Sequence, residues 1–329
     1  MAATEPEVSF GIGTVVLGAA PETAVVVDDQ VLSLREIVGR YSTPHAVAPP
    51  ARIVLDDWDR WYDWLRELDL RPSLDDGWKP MDAVKFTAPV LDPVNIFHTF
   101  HNYVRPSSTT GKVDPPKAER VLPDLFLGSR SALSGHGDTV EREHGGIEFD
   151  FELEVTAVIG KTAFRVPAER ADEYVAGYTI ANDLTMHFGW WRKIRENTRL
   201  NDNIRMKNFP GYTPMGRVIV PRDVVGNAND LALKVRVDGE LRVDSSSSGM
   251  IWTVAELVEY LSWIMPLHPG DVILAGSPEE LPLPPGQKRG LKSGQTVECQ
   301  VERLGRLATR IEEQSALQPN ERPIADVRT

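Results

Sequence analysis

The sequence predicts a β-rich α+β fold, and three observations carry that reading. Short apolar runs recur along most of the chain, Gly, Pro and Asp clusters separate many of them, and one clear helix interrupts the series after residue 250. Many strands with few long helices argue against a doubly wound parallel sheet.

Taken in order, residues 8–32 read as strand, turn, strand, turn, strand, with Asp28 and Asp29 in the second turn. Ser33 and Glu36 have capping-box spacing at the start of a short helix. A second helix is expected over 56–70, where Trp58, Trp61, Tyr62, Leu65 and Leu68 recur at helical spacing as a core-facing stripe. Residues 72–93 carry the Pro, Gly and Asp punctuation of a linker. Strands then follow at 94–100, 125–127, 147–159, 174–184, 217–220, 231–237, 271–275 and 297–301. Thr253 and Glu256 open the helix expected over 253–264 with a second capping box. The domains expected are a small N-terminal one over 1–85, a catalytic one over 90–314, and a polar tail over 315–329.

Composition narrows the function. A formal net charge of −12 disfavours phosphate backbones and anionic lipid surfaces, so no nucleic-acid or membrane partner is expected. A bound cation can still reverse the sign inside a cleft and admit an anionic substrate. Cys299 is the one cysteine, which excludes an intrachain disulfide and multi-thiolate metal sites. No apolar run has the length of a membrane span, and a cytoplasmic location is expected.

The segment 148–160 is the most informative. In an extended strand Asp150, Glu152 and Glu154 fall on one face, and the strand continues into the apolar run 155–159 as if entering a core. Buried carboxylates need a cation or a proton. A third acid, Asp183, ends the apolar strand at 177–183. Glu152, Glu154 and Asp183 together suit a hard cation such as Mg²⁺, whose remaining positions a substrate could chelate.

The segments 150–160, 177–183 and 268–278, in that order, resemble the fumarylacetoacetate hydrolase family over about residues 94–312. The resemblance implies a mixed β-sandwich roll, a homodimer, and Mg²⁺, Mn²⁺ or Ca²⁺ on Glu152, Glu154 and Asp183. It implies a small-molecule 2-oxo acid or β-diketo acid substrate and a metal-stabilised enolate, in C–C bond hydrolysis or a related decarboxylation or tautomerisation. Lys207 matches a family lysine that polarises a carbonyl or balances a carboxylate. Tyr103, Gly276 and Ser277 match substrate-pocket positions.

Departures accompany the matches. Pro106 stands where the family has its water-activating histidine, and Ser107, Ser108, Thr109 and Thr110 fill the positions of a later one. His187 replaces the usual arginine four residues after the metal-binding Asp, and Gly128 replaces a lysine. His98 and His101 offer imidazoles instead. His101 is a candidate general base, a candidate metal ligand that would shift preference toward Mn²⁺, Fe²⁺ or Zn²⁺, or a structural residue. A second reading is a biosynthetic family member, a dehydratase, cyclase or binding protein, that has lost hydrolysis. Asp138, Glu141, Glu143 and His144 read as a solvated loop.

Overall fold

A computed structural model describes residues 7–41, 43, 48–104, 122–143, 146–188, 203–284 and 289–314. The expected β-rich α+β architecture is present as a large mixed sheet packed on a five-stranded one. The helices before residue 70 lie on the far face of the large sheet, and the helix Val254–Ile264 packs into the core on the other side. At the centre lies the strand Leu153–Ile159, all seven residues of which are buried. It pairs antiparallel with Val175–Asn182 on one side and with Val272–Leu274 on the other. Val272–Leu274 in turn pairs parallel with Ile96–Phe100, which makes the sheet mixed. Asp124–Leu127 closes that edge.

Alternation along the central strand explains its unbroken apolar run. Val155, Ala157 and Ile159 face a core shared with Leu233, Val235, Leu307 and Ile311 of the second sheet. Val158 faces the opposite core, beneath the helices. A strand covered on both faces loses the alternation of polarity that a half-exposed strand shows. The second sheet runs Glu240–Ser246, Ala232–Val237, Thr296–Val301, Gly305–Glu313 and Thr139–Arg142. That last strand replaces the loop expected there. Glu141 lies in a parallel pairing with Glu312, while His144 falls outside the described residues.

The N-terminal strands Phe10–Val16, Pro21–Val27 and Gln30–Ser33 extend the large sheet. Phe10–Val16 joins it through Ile12 opposite Ile219 and Gly13 opposite Val218. Ser33 caps the helix Leu34–Arg40 by accepting from the Arg35 amide; its hydroxyl donates to Glu22. The tryptophan helix is shorter than expected, Trp58–Glu67, because Asp57 leaves helical geometry after a separate helix Ala51–Asp56. Trp58, Trp61, Tyr62 and Leu65 are buried against the sheet as a core stripe. The helix Val254–Ile264 starts on the complete Thr253–Glu256 capping box.

Asp271 shows why a turn segment precedes the strand at Val272. Its carboxylate accepts from the Asn95 and His268 amides and from the Asn95 side chain, which ties two strand entries together. A second polar knot joins the N-terminal lobe to the rest. Asp82 accepts from Arg217 at 2.7 Å and from Arg306 at 3.1 Å, and Arg217 also donates to His136 Nε2 at 2.7 Å.

Two outcomes are expected. Gly177 faces the adjoining strand so closely that a Cβ would lie 2.1 Å from the Val220 carbonyl oxygen. Gly177→Ala is therefore expected to destabilise the chain by about 1–3 kcal/mol in urea unfolding. Burial first, and then Arg217, lower the His136 pKa from 6.5 to about 4. The folded ring stays neutral while the unfolded ring takes a proton, so stability is full above pH 6.5 and falls as the pH drops toward 4. His136→Gln should flatten that part of the stability–pH curve.

Candidate metal centre

The large sheet brings the three acids together by ending two paired strands at the same level. Leu153 lies opposite Asn182 in the ladder, so Glu152 and Asp183 are the next residues outward on each side. The chain is cinched there: the Asp183 amide donates to the Glu152 carbonyl at 2.8 Å, and the Glu152 amide donates to the Asn182 side chain at 3.0 Å. One ligand oxygen from each of Glu152, Glu154 and Asp183 then lies within 4.8 Å of the others. Asp150 does not join them. The strand is broken at residues 151–152, and the segment Gly146–Asp150 pairs instead with Thr185–Phe188.

The hydrogen bonds divide the carboxylate oxygens into anchored and free ones. Lys207 Nζ donates to Asp183 Oδ2 at 2.7 Å, to the Asp183 carbonyl at 3.0 Å and to Glu152 Oε2 at 2.9 Å. Glu154 Oε2 accepts from the Gly276 amide at 2.5 Å. Glu152 Oε1 accepts weakly from Thr185 Oγ1 at 3.3 Å. Glu154 Oε1 and Asp183 Oδ1 are buried without any partner. Two buried carboxylate oxygens without partners, beside a third carboxylate, fit a divalent cation. The donor set is all oxygen, which fits a hard divalent ion.

Charge supports the same reading. Burial, then the Asp183 and Glu152 carboxylates, push the Glu154 pKa well up. Burial opposes ionisation of Asp183 too, but His98 and Lys207 outweigh it and hold its carboxyl low. For Lys207 burial pulls the pKa down and the neighbouring carboxylates overcome it, so the ammonium stays charged. Lys207 and Asp183 are thus held ionised, while buried Glu154 needs either a proton or a further cation.

Beside this cluster opens a cleft of about 310 Å³, and Glu152, Lys207 and Thr185 line it. His101, His187 and Ser277 also line it. His101 is exposed, takes a left-handed φ of 49°, and is not among the clustered ligands. His187 Nε2 stands 3.5 Å from Asp150 Oδ2. Ser277 donates to the Pro278 carbonyl. Gly276 holds Glu154 through its amide, and Tyr103 is buried, its hydroxyl unpartnered and its pKa raised by burial and then by Glu154.

The imidazole next to the acids is His98, whose Nδ1 lies 3.1 Å from Asp183 Oδ2. Thr185 was not legible as a neighbour of Glu152, because that contact depends on the break at residues 151–152. Pro106, the run Ser107 to Thr110, the loop 189–195 and the tail 315–329 lie outside the described residues.

Residues 95–312, about two thirds of the chain, match the fumarylacetoacetate (FAA) hydrolase C-terminal family. The chain belongs to the fumarylacetoacetate hydrolase family. It is 34% identical over 236 residues to the maleylpyruvate hydrolase of Aquipseudomonas alcaligenes, covering 69% of this chain and 76% of that protein. It is 33% identical to the 4-hydroxyphenylacetate degradation bifunctional isomerase/decarboxylase of Salmonella dublin, covering 69% of this chain and 48% of that protein, about half its length. Among solved structures, the fold is shared with a maleylpyruvate hydrolase from Sphingobium sp. SYK-6 in complex with manganese(II) and pyruvate. That match has a TM-score of 0.70 at 20% identity and covers 93% of this chain and all of the other. The family identifies the chain as an enzyme, and the acidic triad implies a divalent metal ion.

Removing Lys207 tests the electrostatic account. Lys207→Met leaves buried carboxylates unbalanced and should cost about 3–5 kcal/mol in chelator. Added Mg²⁺ should restore part of that loss in a thermal melt. An unchanged melting temperature in chelator contradicts the account.

Proposed function

We propose that this family member is a divalent-metal-dependent enzyme acting on a 2-oxo acid or β-diketo acid through an enolate. The reaction is C–C bond hydrolysis of the acylpyruvate type, or a related decarboxylation or tautomerisation. The observation that carries this reading is the pair of orphaned oxygens on Glu154 and Asp183, next to Glu152 in the lining of the cleft. Glu152, Glu154 and Asp183 would hold the ion, and all-oxygen ligation favours Mg²⁺, with Mn²⁺ or Ca²⁺ as substitutes. When bound, the ion supplies a fixed positive charge for adjacent substrate oxygens and for the negative charge that develops on them.

The protein's own groups have distinct tasks. Lys207 holds Glu152 and Asp183 in place and keeps a second positive charge in the lining of the cleft. His101, exposed on the cleft wall, is the candidate base for water in hydrolysis. Ser277 and His187, on the same wall, are candidate substrate contacts. Tyr103 is buried and does not line the cleft, so its candidate role as a substrate contact rests on the resemblance alone. The family resemblance also supports a homodimer, and the single buried cysteine fits a reducing cytoplasm.

A second reading has one observation in its favour. By the resemblance, Pro106 stands where the family has a histidine, and its side chain can neither give nor take a proton. A biosynthetic dehydratase, cyclase or binding protein would then keep the ion site without hydrolysis.

Assays of an acylpyruvate and of oxaloacetate with Mg²⁺ or Mn²⁺ separate these readings. Turnover that disappears with chelator supports the first, and ion binding without turnover of either substrate supports the second. Glu152→Ala should abolish ion retention and lower the rate at least ~100-fold; an active, ion-free variant contradicts the site. His101→Ala should reduce hydrolysis by about 10²–10⁴-fold if His101 supplies the base.

A further inference from the structure

His98 is wedged into place from three directions. Its ring is almost fully buried and stacks on Phe126, its cross-strand partner, with centroids 4.6 Å apart and planes 17° from parallel. Its Nδ1 lies 3.1 Å from Asp183 Oδ2, the oxygen that also accepts from Lys207. Its other nitrogen, Nε2, occupies the space that a side chain at residue 128 would need. A Cβ there would lie 2.2 Å from Nε2 and 2.8 Å from Cδ2. Gly128 is fixed in that position by its amide, which donates to the Ile96 carbonyl at 2.8 Å.

We propose that His98 is a positioning residue for Asp183, and that Gly128 provides the space without which the imidazole cannot stand there. The inference rests on the reading of Glu152, Glu154 and Asp183 as the ion site. Lys207 donates to Oδ2, His98 Nδ1 stands 3.1 Å from the same oxygen as a close contact outside hydrogen-bond alignment, and Oδ1 is the oxygen that faces neither. With His98 gone, the Asp183 carboxylate is held on that side by Lys207 alone and can turn Oδ1 away from the other ligands. An outer partner of this kind commonly changes metal affinity by 10–100-fold.

The two residues act as one device, so they should not add. The test is calorimetric Mn²⁺ binding to the full chain for wild type, His98→Ala, Gly128→Ala and the double variant, with folding checked by circular dichroism. His98→Ala and Gly128→Ala should each weaken binding by about 10-fold or more, and Gly128→Ala should cost nothing further in the His98→Ala background. If His98→Ala does not fold, His98→Asn and His98→Leu fill the space with and without an N–H. Affinity kept by Asn and lost by Leu supports the assignment. Unchanged affinity in His98→Ala, equal loss in Asn and Leu, or additive losses in the double variant overturns it. A wild-type chain that binds no Mn²⁺ overturns the ion site itself, which is a separate result.

Discussion

Everything at this centre depends on one buried ammonium facing three carboxylates. Lys207 sits on the short helix Asn203–Lys207, almost wholly out of solvent, and bonds to both Asp183 and Glu152. Without a cation, three acids within 4.8 Å would repel one another in surroundings that screen poorly. Lys207 offsets part of that repulsion and so lets the two paired strands end where they do. Glu154 still needs a proton or a further cation, and a divalent ion is the proposed partner. The folding constraint and the chemical one therefore coincide: residues that the sheet tolerates only beside positive charge or a proton are the residues proposed to hold a metal ion.

Much of this was legible in the sequence. The buried central strand announces itself through its apolar run after Glu154, and the acids at 152, 154 and 183 follow from spacing and from the resemblance. The tryptophan stripe at Trp58, Trp61 and Tyr62 is core, as helical spacing implies. What spacing could not give is the break at residues 151–152. Simple alternation places Asp150 with Glu152 and Glu154, yet the chain changes pairing partner there and sends Asp150 toward His187. Long-range placement was likewise hidden. That His98, rather than His101, meets Asp183 depends on the ring stacking over Phe126 and on the space at Gly128.

The departures from the family pattern gain physical meaning in this setting. Gly128, where the resemblance places a lysine, coincides with an imidazole filling that space from the neighbouring strand. At residue 187 an imidazole beside Asp150 stands on the cleft wall where a guanidinium would be expected. By the resemblance, the carboxylates and Lys207 match the family pattern while groups around them depart from it. That pattern fits a retained ion-dependent step with an altered substrate or an altered final step.

Anomalous diffraction from crystals grown with Mn²⁺ tests the central claim most directly. One Mn²⁺ is expected among Glu152, Glu154 and Asp183, at about 2.1 Å from their oxygens, with Glu154 Oε1 and Asp183 Oδ1 among the ligands. An anomalous peak elsewhere, or none at this cluster while the three side chains keep their positions, would contradict it.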